Sequence, residues 1–156
     1  MGDRPDRGPE AYGLRSASDE ERQRWEEVVE RVLGELKRAG LPAKRVEPND
    51  IGPPGALVTM VRLAKADGGG VFVVWKVSEE LDRASLGLPL GELDDEALNE
   101  AARLLPLRGN DPNLVHAGAV ARRMQEAIIG ILGSAGLRAF DPGNEYDPYG
   151  IQVELP

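Results

Sequence analysis

The chain has 156 residues, enough for one hydrophobic core, and its 41 % apolar and 29 % charged side chains match ordinary folded domains rather than disordered ones. A net charge of -8, with no cationic run longer than a pair such as Arg122-Arg123, argues against nucleic acid and anionic membranes as partners, because both need clustered cations. The absence of cysteine excludes a disulfide framework, thiolate catalysis and sulfur-ligated metal centres.

Met1 to Arg15 lacks the apolar segment of a signal peptide, and no stretch approaches the roughly 18 apolar residues of a membrane span, so the expected location is the cytoplasm. Arginine outnumbers lysine, and Ala, Gly and Pro are abundant, as in a GC-rich bacterial coding sequence. Residues 1–17 mix Gly, Pro and balanced charge around Tyr12 and Leu14 and read as a flexible N-terminal arm. Ser18 with Glu21 then forms a capping box, and Trp25, Val28, Val29, Val32, Leu33 and Leu36 share one face of the helix that follows. Gly40 and Pro42 end it near Ala39.

Ala43–Glu47 reads as a short extended segment, Pro48–Gly55 as a turn-rich loop, and Ala56–Ala64 as a strand. Asp67-Gly68 is a hairpin signal leading into Val71–Val77, whose two apolar faces suggest a central strand covered on both sides. Residues 78–93 show no clear period: Ser78–Ala84 reads as a helical turn and Leu86–Leu93 as a Gly/Pro-interrupted loop with exposed leucines. Asp94 or Asp95 caps a helix to Leu105 with Ala97, Leu98, Ala101, Ala102 and Leu105 on its inner side. Asp111-Pro112 opens a longer helix to Ala135, with Val120, Met124, Ile128, Ile131, Leu132 and Ala135 as its apolar face. Leu137–Asp141 and Ile151–Leu155 read as two last strands.

The expected fold is therefore α+β: a mainly antiparallel sheet of about five strands with helices packed against it, in the order α-β-β-β-α-α-β-β, as one domain over residues 18–156. An internal echo runs through it. Ala39-Gly40-Leu41 matches Ala135-Gly136-Leu137, Glu47-Pro48 matches Asp141-Pro142, and Pro53-Pro54-Gly55-Ala56 matches Asp147-Pro148-Tyr149-Gly150-Ile151. An αββ duplication would produce this, and so would the shared preference of helix ends for glycine and of loops for proline.

Chemistry-bearing patterns are few. His116 is the single histidine, so no catalytic triad or multi-histidine metal site fits within one chain. It falls on the row His116, Val120, Met124, Ile128 and reads either as a part-buried histidine bonded to a backbone carbonyl or as a binding residue. Asp141, Asn144, Glu145 and Asp147 offer oxygen ligands, but not at EF-hand spacing. Gly68-Gly69-Gly70 precedes a strand, the wrong context for a phosphate loop. Glu92, Asp94, Asp95 and Glu96 are explained by helix capping. Tyr146 and Tyr149 hold two of the seven aromatic rings within one polar loop, suited either to a binding surface or to covering a sheet edge.

In the order helix, three strands, helices, two strands, the chain resembles the small acidic secretion-chaperone folds. That resemblance implies dimers that bind an extended polypeptide; no site residue is carried over from it, and the closing helix of those folds has no counterpart after Leu155-Pro156. The expected function is a non-enzymatic cytoplasmic protein-interaction module, chaperone-like, immunity-like or regulatory, without cofactor or metal. The candidate partner- or ligand-binding residues are Tyr146, Tyr149, Asp147 and His116, and the protein partner is unidentified. The alternatives are a small-molecule binder or small enzyme with a carboxylate/Tyr/Arg cleft between the sheet and residues 78–110, and a structural homo-oligomer, a homodimer included.

Overall fold

The computed structural model describes residues 14–61, 63–65, 69–89 and 91–156. The Asp67-Gly68 turn and most of the N-terminal arm lie outside the described residues. The described part of the arm ends in β1 (Leu14–Ser16). Ser18 then accepts a hydrogen bond from the Glu21 backbone N–H at 3.1 Å and starts α1 (Asp19–Arg38), satisfying one of the donors a helix start leaves free. Next come β2 (Ala43–Arg45), β3 (Gly55–Val61), β4 (Leu63–Lys65) and β5 (Gly70–Lys76). Helices α2 (Glu79–Leu86), α3 (Asp95–Leu104) and α4 (Pro112–Ser134) precede β6 (Arg138–Phe140) and β7 (Ile151–Glu154).

The main sheet has five strands in the order β2-β3-β5-β7-β6, and β1 and β4 form a separate antiparallel pair. All pairings in the main sheet are antiparallel except β2 with β3. The α+β class and the five-stranded sheet are as the sequence predicts. β3 and β5 pair over seven residues each, from Gly55 opposite Lys76 to Val61 opposite Gly70, and β5 is the central strand.

Strand alternation gives the sheet two faces. Ala56, Val58, Met60, Val71, Val73, Ile151 and Val153 point one way and are buried against Val28, Val29, Val32 and Leu36 of α1 and Ile128 and Leu132 of α4. Each buried aliphatic side chain stabilises this layer by about 1.5–3 kcal/mol relative to exposure. The opposite face carries Leu57, Thr59, Val61, Phe72, Val74 and Gln152, and here β5 departs from expectation: Val71 and Val73 are buried, while Phe72 and Val74 stay half-exposed.

The echo holds at the helix ends and stops at the strands. Gly40 and Gly136 both have φ +89°, and the Leu41 and Leu137 N–H groups reach back to the carbonyls of Leu36 and Leu132 at 2.9 and 3.0 Å. These are two copies of one glycine-terminated helix stop. Beyond them the units diverge, because β2 runs parallel to β3 whereas β6 runs antiparallel to β7.

Two helices also differ from the sequence reading. α2 is a complete helix between the Ser78 cap and left-handed Gly87, in a stretch with no visible period. α3 starts at the Asp94 cap but buries none of its residues: Leu98 is 44 % exposed and Leu105, just after it, 38 %.

Candidate functional site

The connection from β2 to β3 explains why the second sheet face forms a groove. A parallel neighbour cannot be joined by a hairpin, so residues 46–54 must return across a face of the sheet. They cross the open one. Gly52 lies so close over Leu57 that an added Cβ would come within 2.6 Å of its Cδ2, and Lys76 Nζ donates to the Gly52 carbonyl at 2.6 Å. Leu57 and Lys76 both point to this face, so the loop becomes one wall of the groove.

The other wall is the β6–β7 loop, residues 141–150, held from behind by α4. Gln125 is 2 % exposed, and its Nε2 donates to the carbonyls of Gly150 at 2.9 Å and Pro148 at 3.2 Å. Its Oε1 accepts from Arg122 at 2.7 Å. Arg122 also lies over the Tyr149 ring, 5.2 Å from its centre, and 3.7 Å from Asp141. A buried amide with both ends bonded fixes a loop well, since leaving either end unpaired would carry its desolvation cost.

Between the walls is a depression of about 380 Å³. Its floor is Leu57, Thr59, Val61, Phe72 and Val74; its rims carry Glu47, Asn49 and Asp50 on one side and Asn144 and Asp147 on the other. Among the described residues no helix contributes to this lining. Each wall loop also holds out a large apolar side chain, Ile51 at 92 % and Tyr146 at 99 % exposure.

Of the residues singled out by sequence, Asp147 lines the groove and Tyr146 stands fully exposed on the same loop. Tyr149 is half-buried beneath Arg122, its hydroxyl near Gly118 of α4, and serves the anchoring of the loop. His116 is exposed on the second turn of α4 and is not among the groove residues. Sequence reasoning missed Gln125, Phe72 and Leu57 as site-forming residues. Gln125 was visible in principle, since it precedes Ile128 by three and Leu132 by seven positions, on the buried stripe itself.

Two members of the oxygen-rich loop spend a side-chain oxygen internally. Asp141 accepts from the Gly143 N–H at 2.8 Å and Asn144 from the Tyr146 N–H at 2.9 Å. Among the described residues no group of three His, Asp or Glu side chains is placed to hold a metal ion, and no helix is long and apolar enough to cross a membrane.

A second depression, of about 530 Å³, adjoins the first through Leu57 and Val74 and lies between the end of β5, α2 and α4. This is where a cleft beside residues 78–110 was expected. Its polar groups do not converge: Lys76 is turned to the Gly52 carbonyl and Tyr149 sits under Arg122. The Arg45 titration is held above its ordinary value mainly by its two-point hydrogen bond to Glu26 at 2.5 and 2.9 Å and opposed by burial. That pair ties β2 to α1 on the helix side of the sheet, away from the groove.

Comparison with protein-family models, curated protein sequences and solved structures found no match for this chain.

Proposed function

We propose that the protein is a non-enzymatic, cytoplasmic protein-interaction module whose binding surface is the open sheet face between residues 46–54 and 141–150. The observation that carries this reading is the half-exposed floor, Thr59, Val61, Phe72 and Val74, in a groove whose lining includes no helix residue among the described residues, while both wall loops present exposed Ile51 and Tyr146. An apolar centre within a polar rim is the anatomy of a protein-binding patch. Tyrosine is among the residue types enriched at binding hot spots.

A small-molecule site in the adjoining depression beside α2 is the second reading, supported by its volume of about 530 Å³ and by Lys76, Asp82 and Tyr149 in its lining. The groove is favoured because its apolar floor is continuous and its polar rim groups Asp50 and Asp147 are in no ion pair among the described residues.

A photo-crosslinking side chain placed at Thr59 and, as a control, at Glu126 on the outer face of α4 tests the reading in extracts of the source cell. A discrete protein adduct is expected from Thr59 alone, competed away by the unlabelled protein but not by its Phe72→Asp variant. Equal adducts from both positions, or none from Thr59, would contradict it.

A further inference from the structure

The chemistry of the groove restricts what can lie in it. Among the described residues its lining contains three carboxylates, Glu47, Asp50 and Asp147, two amides, Asn49 and Asn144, and no lysine or arginine. Elsewhere carboxylates are commonly matched by arginine, as in Arg45–Glu26, Arg83–Glu79, Arg108–Asp111 and Arg138–Glu154. None of the three rim carboxylates is in an ion pair among the described residues; Glu47 acts on Arg45 only through the longer-range field. The carboxylates stand on both walls, and the apolar floor between them includes an aromatic ring, Phe72. Such a site attracts cations over a low-dielectric surface and repels acidic segments, and with a net charge of -8 the whole molecule's field acts in the same sense.

We infer that the groove takes a polypeptide segment whose apolar side chains are flanked by lysine or arginine: apolar groups against Leu57, Phe72 and Val74, cationic ends reaching Glu47 and Asp50 on one wall and Asp147 on the other. This rests on the reading of the open face as a polypeptide-binding surface and adds the chemistry of the partner. The long stems of lysine and arginine suit the geometry, because they bury methylene groups along the floor while the charged head stays at the wet rim. A second copy of this chain is the poorer occupant, since it brings the same net negative charge to an acidic rim.

The test is a titration of the isotope-labelled full-length protein, followed by backbone amide NMR, with three short peptides of equal length: alternating leucine and lysine, alternating leucine and glutamate, and alternating serine and lysine. The leucine/lysine peptide should shift the amides of residues 46–50, 57–61, 72–74 and 144–147. It should bind at least about tenfold more tightly than either other peptide, and weaken as salt is raised. The triple variant Glu47→Gln, Asp50→Asn, Asp147→Asn, with its core amide spectrum retained, should lose the preference for lysine over glutamate. Equally tight binding of the leucine/glutamate peptide to the same residues would overturn the charge inference while leaving the polypeptide-binding reading standing. No shift on this face with any peptide, shifts confined to α3, or concentration-dependent shifts of these amides without peptide would overturn both.

Discussion

Gln125 carries more of the site than any residue the sequence pointed to. Replacing it by methionine keeps most of its volume but leaves the Pro148 and Gly150 carbonyls without their donor; the expected cost is about 1–3 kcal/mol in denaturant unfolding, with faster amide exchange across residues 144–150. His116→Ala, by contrast, should leave stability within about 0.5 kcal/mol, because the side chain is exposed and no hydrogen bond to it is found among the described residues. The sequence placed His116 on the border of the buried face by running the row back through Met124 and Val120. The buried row is the adjacent one, Leu132, Ile128 and Gln125, and reading glutamine as polar hid it. Tyr146, Tyr149 and Asp147 were legible as unusual loop residues. Their separate positions, fully exposed ring, packed tie and groove rim, depend on which side α4 grips the loop, and that is a tertiary fact.

At the scale of elements, helix boundaries were the most readable part of the chain, since they rest on local chemistry. Ser18, Asp94, Asp111, Gly40 and Gly136 mark ends that the structure also has. Gly40→Ala and Gly136→Ala, each at φ +89°, should each destabilise by about 1 kcal/mol and by similar amounts, as two copies of one motif should. The packing of the helices was less readable. Leu98 and Ile128 both stand on apolar stripes, yet Ile128 is fully buried and Leu98 is 44 % exposed. Ile128→Ala should therefore cost about 2–5 kcal/mol in urea unfolding, and Leu98→Ala less than about 1 kcal/mol. A hydrophobic period says that a helix has an apolar side, not that the chain supplies something to cover it. α2 was legible only as a helical turn over Ser78–Ala84, because eight residues with only Ser85 buried leave no period to detect. The parallel sense of β2 against β3 escaped for a different reason: it follows from where residues 46–54 travel, fixed by contacts of Gly52 with Leu57 and Lys76 that no local pattern encodes.

For the whole molecule, the central claim is that, among the described residues, one face of the sheet is sealed by α1 and α4 while the other is open as a groove. The class of fold followed from strand and helix patterns, but openness did not: Phe72 and Val74 made the second face of β5 apolar, which at the level of sequence reads as burial. The chain has no cysteine, so a single introduced thiol is a unique reporter. The most direct measurement is the rate at which a maleimide labels the Thr59→Cys and Val73→Cys variants in the folded state, each compared with its own rate in denaturant. Thr59→Cys should react within about tenfold of its unfolded rate, and Val73→Cys, at 1 % exposure in the parent residue, only as fast as the protein opens. Equal protection of the two positions would show that the second face is covered as well, and would contradict the account.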